Sequence, residues 1–301
     1  MVFMAINHLN KRRWKMKKFF YSIILGSLLL LASGCNNLEN ASIYTTTYPI
    51  EYLATTLYSD HSTSSSIYPD GAIVDDYTLT EKQIDNFSKG TLFIYNGTTS
   101  EKQIANTLVK KNKNLKIIDA AYALKYDYGV EELWLSPSNY LMLAANIKDS
   151  LQEQIDSKYI NEEIENKYKT LEETLSIMDA EIRSIAKNAK SSNNHILIAD
   201  SNTFKYLENY GFKVISLEDY SLNSSPLASL KSNFKAGTYK YVLTKKGVEE
   251  SDVLKDIKKD TSAVSMPVDF MNTLSEDSRK ANETYLTIMK QYIANLKTIT
   301  N

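Results

Sequence analysis

The sequence predicts an α/β protein of two lobes, each a mostly parallel sheet under helices, joined by a long backbone helix. Three observations carry this expectation. Short apolar or β-branched runs alternate with helical segments from residue 42 to residue 119, the pattern of parallel strands linked by crossover helices. A second such alternation runs from residue 195 to residue 258. Between them Ile160, Ile164, Tyr168, Leu171, Leu175, Met178, Ile182 and Ile185 recur at intervals of three and four, one apolar stripe along a helix of roughly 40 Å. That stripe can be read as a coiled-coil segment seeking a partner or as a rigid connector, and the alternation on both sides favours the connector.

In the first alternation, strands are expected at 42–47, 64–68, 91–95 and 115–119. Helices are expected at 49–57, with Pro49 in the first turn, at 80–88 behind the capping box Thr80-Glu81-Lys82-Gln83, and at 102–110. A helix over 139–155 precedes the long one, taken as 161–189. The second alternation has strands at 195–199, 213–217 and 239–243, and helices at 203–210, ending at Gly211, at 250–258 and at 276–297. The resulting division is 42–137, an N-terminal lobe; 138–190, a helical segment; and 191–301, a C-terminal lobe.

Residues 1–34 read as a signal peptide. Six basic residues between Lys11 and Lys18 precede an apolar run of about 14 residues, too short to span a bilayer comfortably. Met16 offers a second start. Ser33-Gly34 then leads to Cys35, the sole cysteine of the 301-residue chain. Leu31-Ala32-Ser33-Gly34-Cys35 resembles a bacterial lipobox, which implies lipidation at Cys35, a tether over 35–41 and anchoring to the outer face of the cell membrane. An ordinary signal with an incidental cysteine is the alternative. Without residues 1–34 the chain has 29 basic against 36 acidic residues, a net charge of −7 that argues against nucleic-acid binding and is compatible with a cation ligand.

Several stretches, in order, resemble the zinc- and manganese-binding lipoproteins of bacterial ABC importers. Residues 44–50 (Tyr44-Thr45-Thr46-Thr47-Tyr48-Pro49-Ile50) look like that family's first strand and turn, and Asp60-His61 stands where it has an Asp-His pair. Pro69-Asp70-Gly71-Ala72, followed by Asp76-Tyr77 and Thr80, resembles its first ligand loop. Phe93-Ile94-Tyr95-Asn96-Gly97 matches the next strand, and Leu133-Trp134-Leu135-Ser136-Pro137 the second ligand loop. Phe204, Tyr206, Tyr210 and Gly211 follow the third, and Tyr285 and Asn295 fit the C-terminal helix.

The resemblance implies a ligand cleft between the lobes, and a monomeric, non-enzymatic solute-binding lipoprotein that hands a divalent cation, manganese or zinc, to an ABC permease and its ATPase. It also implies four ligand positions, where the family commonly has three histidines and an acid. Here they carry Asp75, Glu132, Ser201 (with Asp200 beside it) and, before Pro267, Met266. The histidines at 61 and 195 fall on none of them and read as surface or strand-end residues. Zinc prefers nitrogen and sulfur donors, whereas an all-oxygen set suits harder cations. Two or three converging carboxylates need a cation or a proton to coexist. Two readings follow: an altered oxygen-donor cation site, or solvated acids in a cleft whose ligand has been lost or changed. Lys245, if it points into the cleft, weakens the first. A surface lipoprotein that keeps the scaffold for adhesion is the alternative from another class. The single cysteine, the lack of a Gly-rich phosphate loop and the lack of a nucleophile-elbow motif leave little for an enzyme reading.

Overall fold

A computed structural model describes Leu38 and residues 40–301; the signal segment, the lipobox-like stretch and Cys35 lie outside the described residues. Strand and helix alternate as the residue pattern predicts. The first lobe runs β1 (Ala41–Thr45), α1 (Tyr48–Tyr58), β2 (Ser62–Ser66), α2 (Glu81–Phe87), β3 (Leu92–Tyr95), α3 (Thr99–Lys111) and β4 (Lys116–Asp119). All four strands are parallel, in the order β2-β1-β3-β4. β3 (LFIY) is buried on both faces, as a central parallel strand between two helical layers must be.

Helices α4 (Glu132–Leu135), α5 (Pro137–Gln154) and α6 (Lys158–Ser191) follow. α6 has 34 residues, about 51 Å at 1.5 Å per residue, longer at both ends than the apolar stripe alone predicts. Ser157 caps its start by accepting from the Ile160 amide. Its stripe packs against α5, α1 and the last helix, and each Ile or Leu so buried stabilises the fold by roughly 1.5–3 kcal/mol. The stripe is a connector's core face; Ile177 and Tyr159 lie off it and are exposed.

The second lobe repeats the first. It runs β5 (Ile196–Ala199), a 3₁₀ segment (Asn202–Tyr210), β6 (Lys213–Ser216), α7 (Ser225–Lys235), β7 (Tyr241–Lys245), α8 (Asp252–Asp260) and β8 (Val264–Val268), again all parallel, in the order β6-β5-β7-β8. Two helices follow, the short α9 (Glu276–Lys280) and the 16-residue α10 (Tyr285–Thr300). No helix among the described residues is long and apolar enough to cross a membrane.

Four elements differ from the sequence reading. The expected helix 203–210 is 3₁₀ throughout. The expected helix 276–297 is two, because Asn282 turns left-handed (φ 55°) and Thr284 starts a new capping box. β8 escapes the pattern because Pro267 lies inside it; it occupies the sheet edge, where a missing N–H is tolerated. α7 is hidden by its Ser- and Asn-rich approach, although Ser224 and Pro226 are good starting residues.

The tyrosines are more deeply used than half-buried positions would require. Tyr140, Tyr206, Tyr285 and Tyr292 are at most 2% exposed. Tyr140 and Tyr285 stack at 3.8 Å. Their hydroxyls donate to the carbonyls of Pro49 (2.7 Å) and Trp134 (2.7 Å), and that of Tyr206 to Leu135 (3.2 Å) and to Tyr292 (2.8 Å). Aromatic bulk fills the core while each polar tip finds a partner. These bonds draw α1, α4, the 3₁₀ segment and α10 into one apolar core that extends through both lobes.

Candidate functional site

In parallel sheets, ligand-binding loops gather at the C-terminal strand ends. Here those ends carry the loops 67–80, 96–98 and 120–131 of the first lobe, and 200–203, 246–251 and 269–275 of the second. Of the residues expected at ligand positions, Asp75 lies on 67–80 and Asp200 and Ser201 on 200–203, whereas Glu132 opens the helix after 120–131 and Met266 lies within β8.

Asp75 lies in a one-turn 3₁₀ segment, Val74–Asp76, and is exposed. It borders a hollow of about 390 Å³ on the first lobe, lined by Tyr68, Tyr77, Leu79, Gln103 and Ile104. The two tyrosine rings meet edge-on at 5.8 Å. Burial and the nearby Glu101 and Asp75 carboxylates push the Tyr68 phenol well above its ordinary range.

Glu132 is buried at the first turn of α4. Its Oε2 accepts from the Asp127 amide (3.1 Å), and its backbone carbonyl accepts from the Asn139 side chain (3.3 Å). Its neighbour Glu131 is the acid that reaches the second lobe. Glu131 Oε1 accepts from Asn272 Nδ2 at 3.4 Å, and its Oε2 lies against Gly129 beside Thr203. The left-handed backbone of Gly129 (φ 146°) and that close carboxylate leave no room for a side chain there.

Asp200 and Ser201 do come together. Both line a hollow of about 220 Å³ on the second lobe, with Glu218, Lys245 and Glu249. Asp200 is already engaged: one carboxylate oxygen accepts from the Ser251 amide (2.9 Å) and the other from the Ser251 hydroxyl. Ser201 caps the 3₁₀ segment, its Oγ accepting from the Thr203 amide (3.3 Å).

The structure thus unites Asp200 with Ser201 and leaves Asp75 and Glu132 in separate surroundings. Among the described residues, no three His, Cys, Asp or Glu side chains converge closely enough to hold a metal ion. Met266 sits within β8, and the acid nearest to it along the chain is Asp269, just past the strand. Asp269 Oδ2 accepts from Lys246 Nζ (3.0 Å) and Oδ1 from the Met271 amide (2.9 Å). Sequence reading missed Asp269 because the apolar run hid where β8 ends. Lys245 lines the same acidic hollow as Asp200, Glu218 and Glu249, and its ammonium lies 4.8 Å over the Phe270 ring, a cation–π contact. His61 Nε2 donates to Glu163 Oε2 on α6 at 2.8 Å.

What fills the junction is apolar. Phe270, Met271 and Leu274 are buried, Phe270 meets Phe204 edge-on at 5.3 Å, and Trp134 Nε1 donates to the Phe270 carbonyl at 2.7 Å. The segment 269–275 also bonds to the first lobe through its backbone: the Tyr48 amide donates to the Asn272 carbonyl (3.2 Å) and the Gly71 amide to the Leu274 carbonyl (3.0 Å).

This architecture has known counterparts. The Zn(II)-bound ZnuA-like domain of Streptococcus pneumoniae AdcA superposes with a TM-score of 0.71 at 22% identity, over 87% of this chain and 99% of that one. The metal-dependent lipoprotein YcdH of Bacillus subtilis gives 0.72 at 23% identity, over 86% and 98%. The laminin-binding protein Lmb of Streptococcus agalactiae, described as bifunctional with adhesin and metal-transporting activity, gives 0.67 at 17% identity, over 85% and 100%. At these identities the likeness is one of fold. Among curated proteins, the zinc-binding lipoprotein AdcA of Streptococcus pneumoniae serotype 4 is 23% identical over 95% of this chain and 62% of its own length, so the chain spans about three fifths of that relative. The family model described as zinc-uptake complex component A, periplasmic, matches residues 43–299, from the first strand to the last helix, and the protein belongs to that family.

Proposed function

We propose that this chain is the extracytoplasmic solute-binding component of an ATP-driven importer, anchored through a lipidated Cys35, which presents a divalent cation to a membrane permease and its ATPase. The observation that carries the reading is the match of the family model over both lobes and the connecting helix, residues 43–299. The curated relatives are named as zinc-binding proteins, which supports cation cargo over adhesion.

The cargo site in this reading comprises Asp75, Glu132, Asp200 and Ser201. All four offer oxygen, a donor set that suits hard cations such as Mn²⁺, Ca²⁺ and Mg²⁺ better than a histidine site does. Asp75 stands on an exposed loop and Asp200 already accepts two bonds from Ser251. Loading then requires the 69–77 loop to approach the second lobe and the cation to displace the Ser251 hydroxyl.

Calorimetric titration of chelator-stripped protein, begun at residue 35 with Cys35→Ser, tests this with Mn²⁺, Zn²⁺, Ca²⁺ and Mg²⁺. The expected result is one-to-one binding, weakened at least ~10-fold in Asp75→Ala and in Glu132→Ala, as loss of a charged donor implies. Silence with all four cations would remove cation delivery as the function.

A further inference from the structure

The segment 269–284 crosses from the second lobe onto the first and holds the loop that carries Asp75. Three bonds from its 270–275 part have been met or lie beside those: Gly71 amide to Leu274 carbonyl (3.0 Å), Tyr48 amide to Asn272 carbonyl (3.2 Å), and Thr273 Oγ1 to the Ala72 carbonyl (3.0 Å). Further along, Tyr48 Oη donates to the Glu283 carbonyl (3.4 Å). Between them Arg279, on α9, forks onto Asp70 with Nε–Oδ2 2.6 Å and Nη2–Oδ1 2.8 Å. The same guanidinium reaches both oxygens of Glu51 on α1 at 3.3 Å and lies 5.9 Å from the centre of the Tyr48 ring.

A two-carboxylate, planar grip of this kind is the strong form of ion pair. Glu51 and Asp70 are 13% and 27% exposed, so water weakens it less than a fully exposed pair. Burial pushes the Glu51 carboxyl up and the Arg279 charge opposes that rise, while the Asp70 charge adds to it; without the arginine, Glu51 and Asp70 repel each other.

We propose that Arg279 is a clasp that keeps the 69–77 loop in the arrangement where Asp75 is apart from Glu132 and Asp200, and that opening the clasp precedes loading of the cation. The inference rests on the cargo-site reading above. It makes the clasp a conformational tax on binding, since only the open fraction can assemble the donors. The Gly71 amide is its reporter, because that hydrogen bond joins loop to strap directly. Ile73, midway along the loop, is 68% exposed, so packing restrains the stretch next to the clasp little; Val74 and Tyr77, packed on the cluster around Tyr68 and Phe93, anchor its far end.

The test uses Arg279→Gln, the milder Arg279→Lys, and the exchanged pair Asp70→Arg with Arg279→Asp, in the chain from residue 35, which carries both lobes whole. Amide exchange is read without metal. Arg279→Gln speeds exchange at Gly71 by about 3–10-fold, the range expected for losing a partly exposed bidentate pair. Amides of Leu171 and Leu175 in α6 stay as they were, and the exchanged pair restores Gly71. Uniform acceleration across the chain, or none at Gly71, overturns the clasp whatever the protein binds. Mn²⁺ titration is the second arm. Arg279→Gln tightens apparent binding by a similar factor, with Arg279→Lys between it and the parent. Weaker or unchanged binding, with Gly71 loosened, shows that the strap positions donors productively and overturns the proposal. If the parent binds no cation while Gly71 responds as expected, it is the cargo reading that fails and the clasp that stands.

Discussion

The two lobes perform the same local task with the donor and the acceptor exchanged. Each ties the end of its first strand to the start of the helix after its third. In the first lobe the strand end supplies a hydroxyl and the helix an acid: Thr46 Oγ1 donates to Glu101 on α3 at 3.1 Å. In the second the strand end supplies the acid and the helix the hydroxyl, Asp200 accepting from Ser251 at the cap of α8. The consequence is a difference in burial. Glu101 lies in the third position of its helix, under the strand ends, and is 2% exposed. Asp200 stands at the strand end itself and opens onto the hollow it shares with Ser201. An acid on the helix becomes structure, whereas an acid on the strand end stays within reach of a solute.

The largest expected effect lies in the buried tie. Glu101 Oε2 also accepts from the Asn96 amide at 2.8 Å, and the Asn96 side chain donates to it at 2.6 Å in its better orientation. Glu101→Ala strands these donors without water. Removing acceptors from buried donors costs about 1–3 kcal/mol each, so a loss of roughly 3–5 kcal/mol is expected in urea unfolding at pH 5.5. A loss below ~1 kcal/mol would mean that the tie is not the first lobe's keystone and that the contrast with Asp200 is one of position only.

Next is the pH dependence. Burial, with Asp119 adding to it and the Asn96 and Thr46 bonds opposing it, pushes the Glu101 carboxyl up to about 7. The charged group facing it is Asp119; the phenols of Tyr68 and Tyr95, both pushed up, face it as neutral groups. Folding therefore strengthens proton binding at this site. Its contribution is complete below the ordinary carboxylate pKa and is lost as pH rises from about 4.5 to about 7, because the folded chain then holds a proton that the unfolded chain has released. The change is roughly 3 kcal/mol at most. Glu101→Gln has no such proton and should flatten the stability curve between pH 5 and 8. A curve equally steep in Glu101→Gln would assign the slope to another group.

Much of this was legible in the residues, and the failures have physical causes. The strands and the long helix follow from period alone, because a buried parallel strand and a one-sided helix leave strong patterns. The helix break at Asn282 and the strand through Pro267 were not legible, since each depends on tolerance: a left-handed Asn and an edge position for Pro. For the site, the resemblance pointed to Asp75, Glu132, Asp200 and Ser201, of which Asp75, Asp200 and Ser201 stand past strand ends and Glu132 starts a helix. It could not show that Glu131, rather than Glu132, reaches Asn272, because which of two adjacent helical acids faces a neighbour depends on the phase of a four-residue helix. Nor could spacing reveal Glu101 as a buried acid, since its neighbours Ser100 and Lys102 are those of an ordinary solvated first turn.

The smallest expected effect separates structure from availability in the second lobe. Ser251→Ala removes the cap that accepts from the Leu254 amide at 3.1 Å and should cost about 1 kcal/mol, less than the changes at Glu101 because Asp200 is partly solvated. It also leaves Asp200 with only the residue-251 amide as partner. If Asp200 is a cargo ligand, freeing it strengthens Mn²⁺ binding even as the fold weakens, because the cation no longer competes with a hydroxyl for that oxygen. Asp200→Asn keeps most of the tie, with a neutral acceptor in place of the charge, and should abolish that gain. Paired stability and titration measurements on the two variants distinguish the cases. Equal loss of stability and affinity in Ser251→Ala would make Asp200 a structural acid like Glu101, and the exchange of donor and acceptor between the lobes would then carry no functional difference.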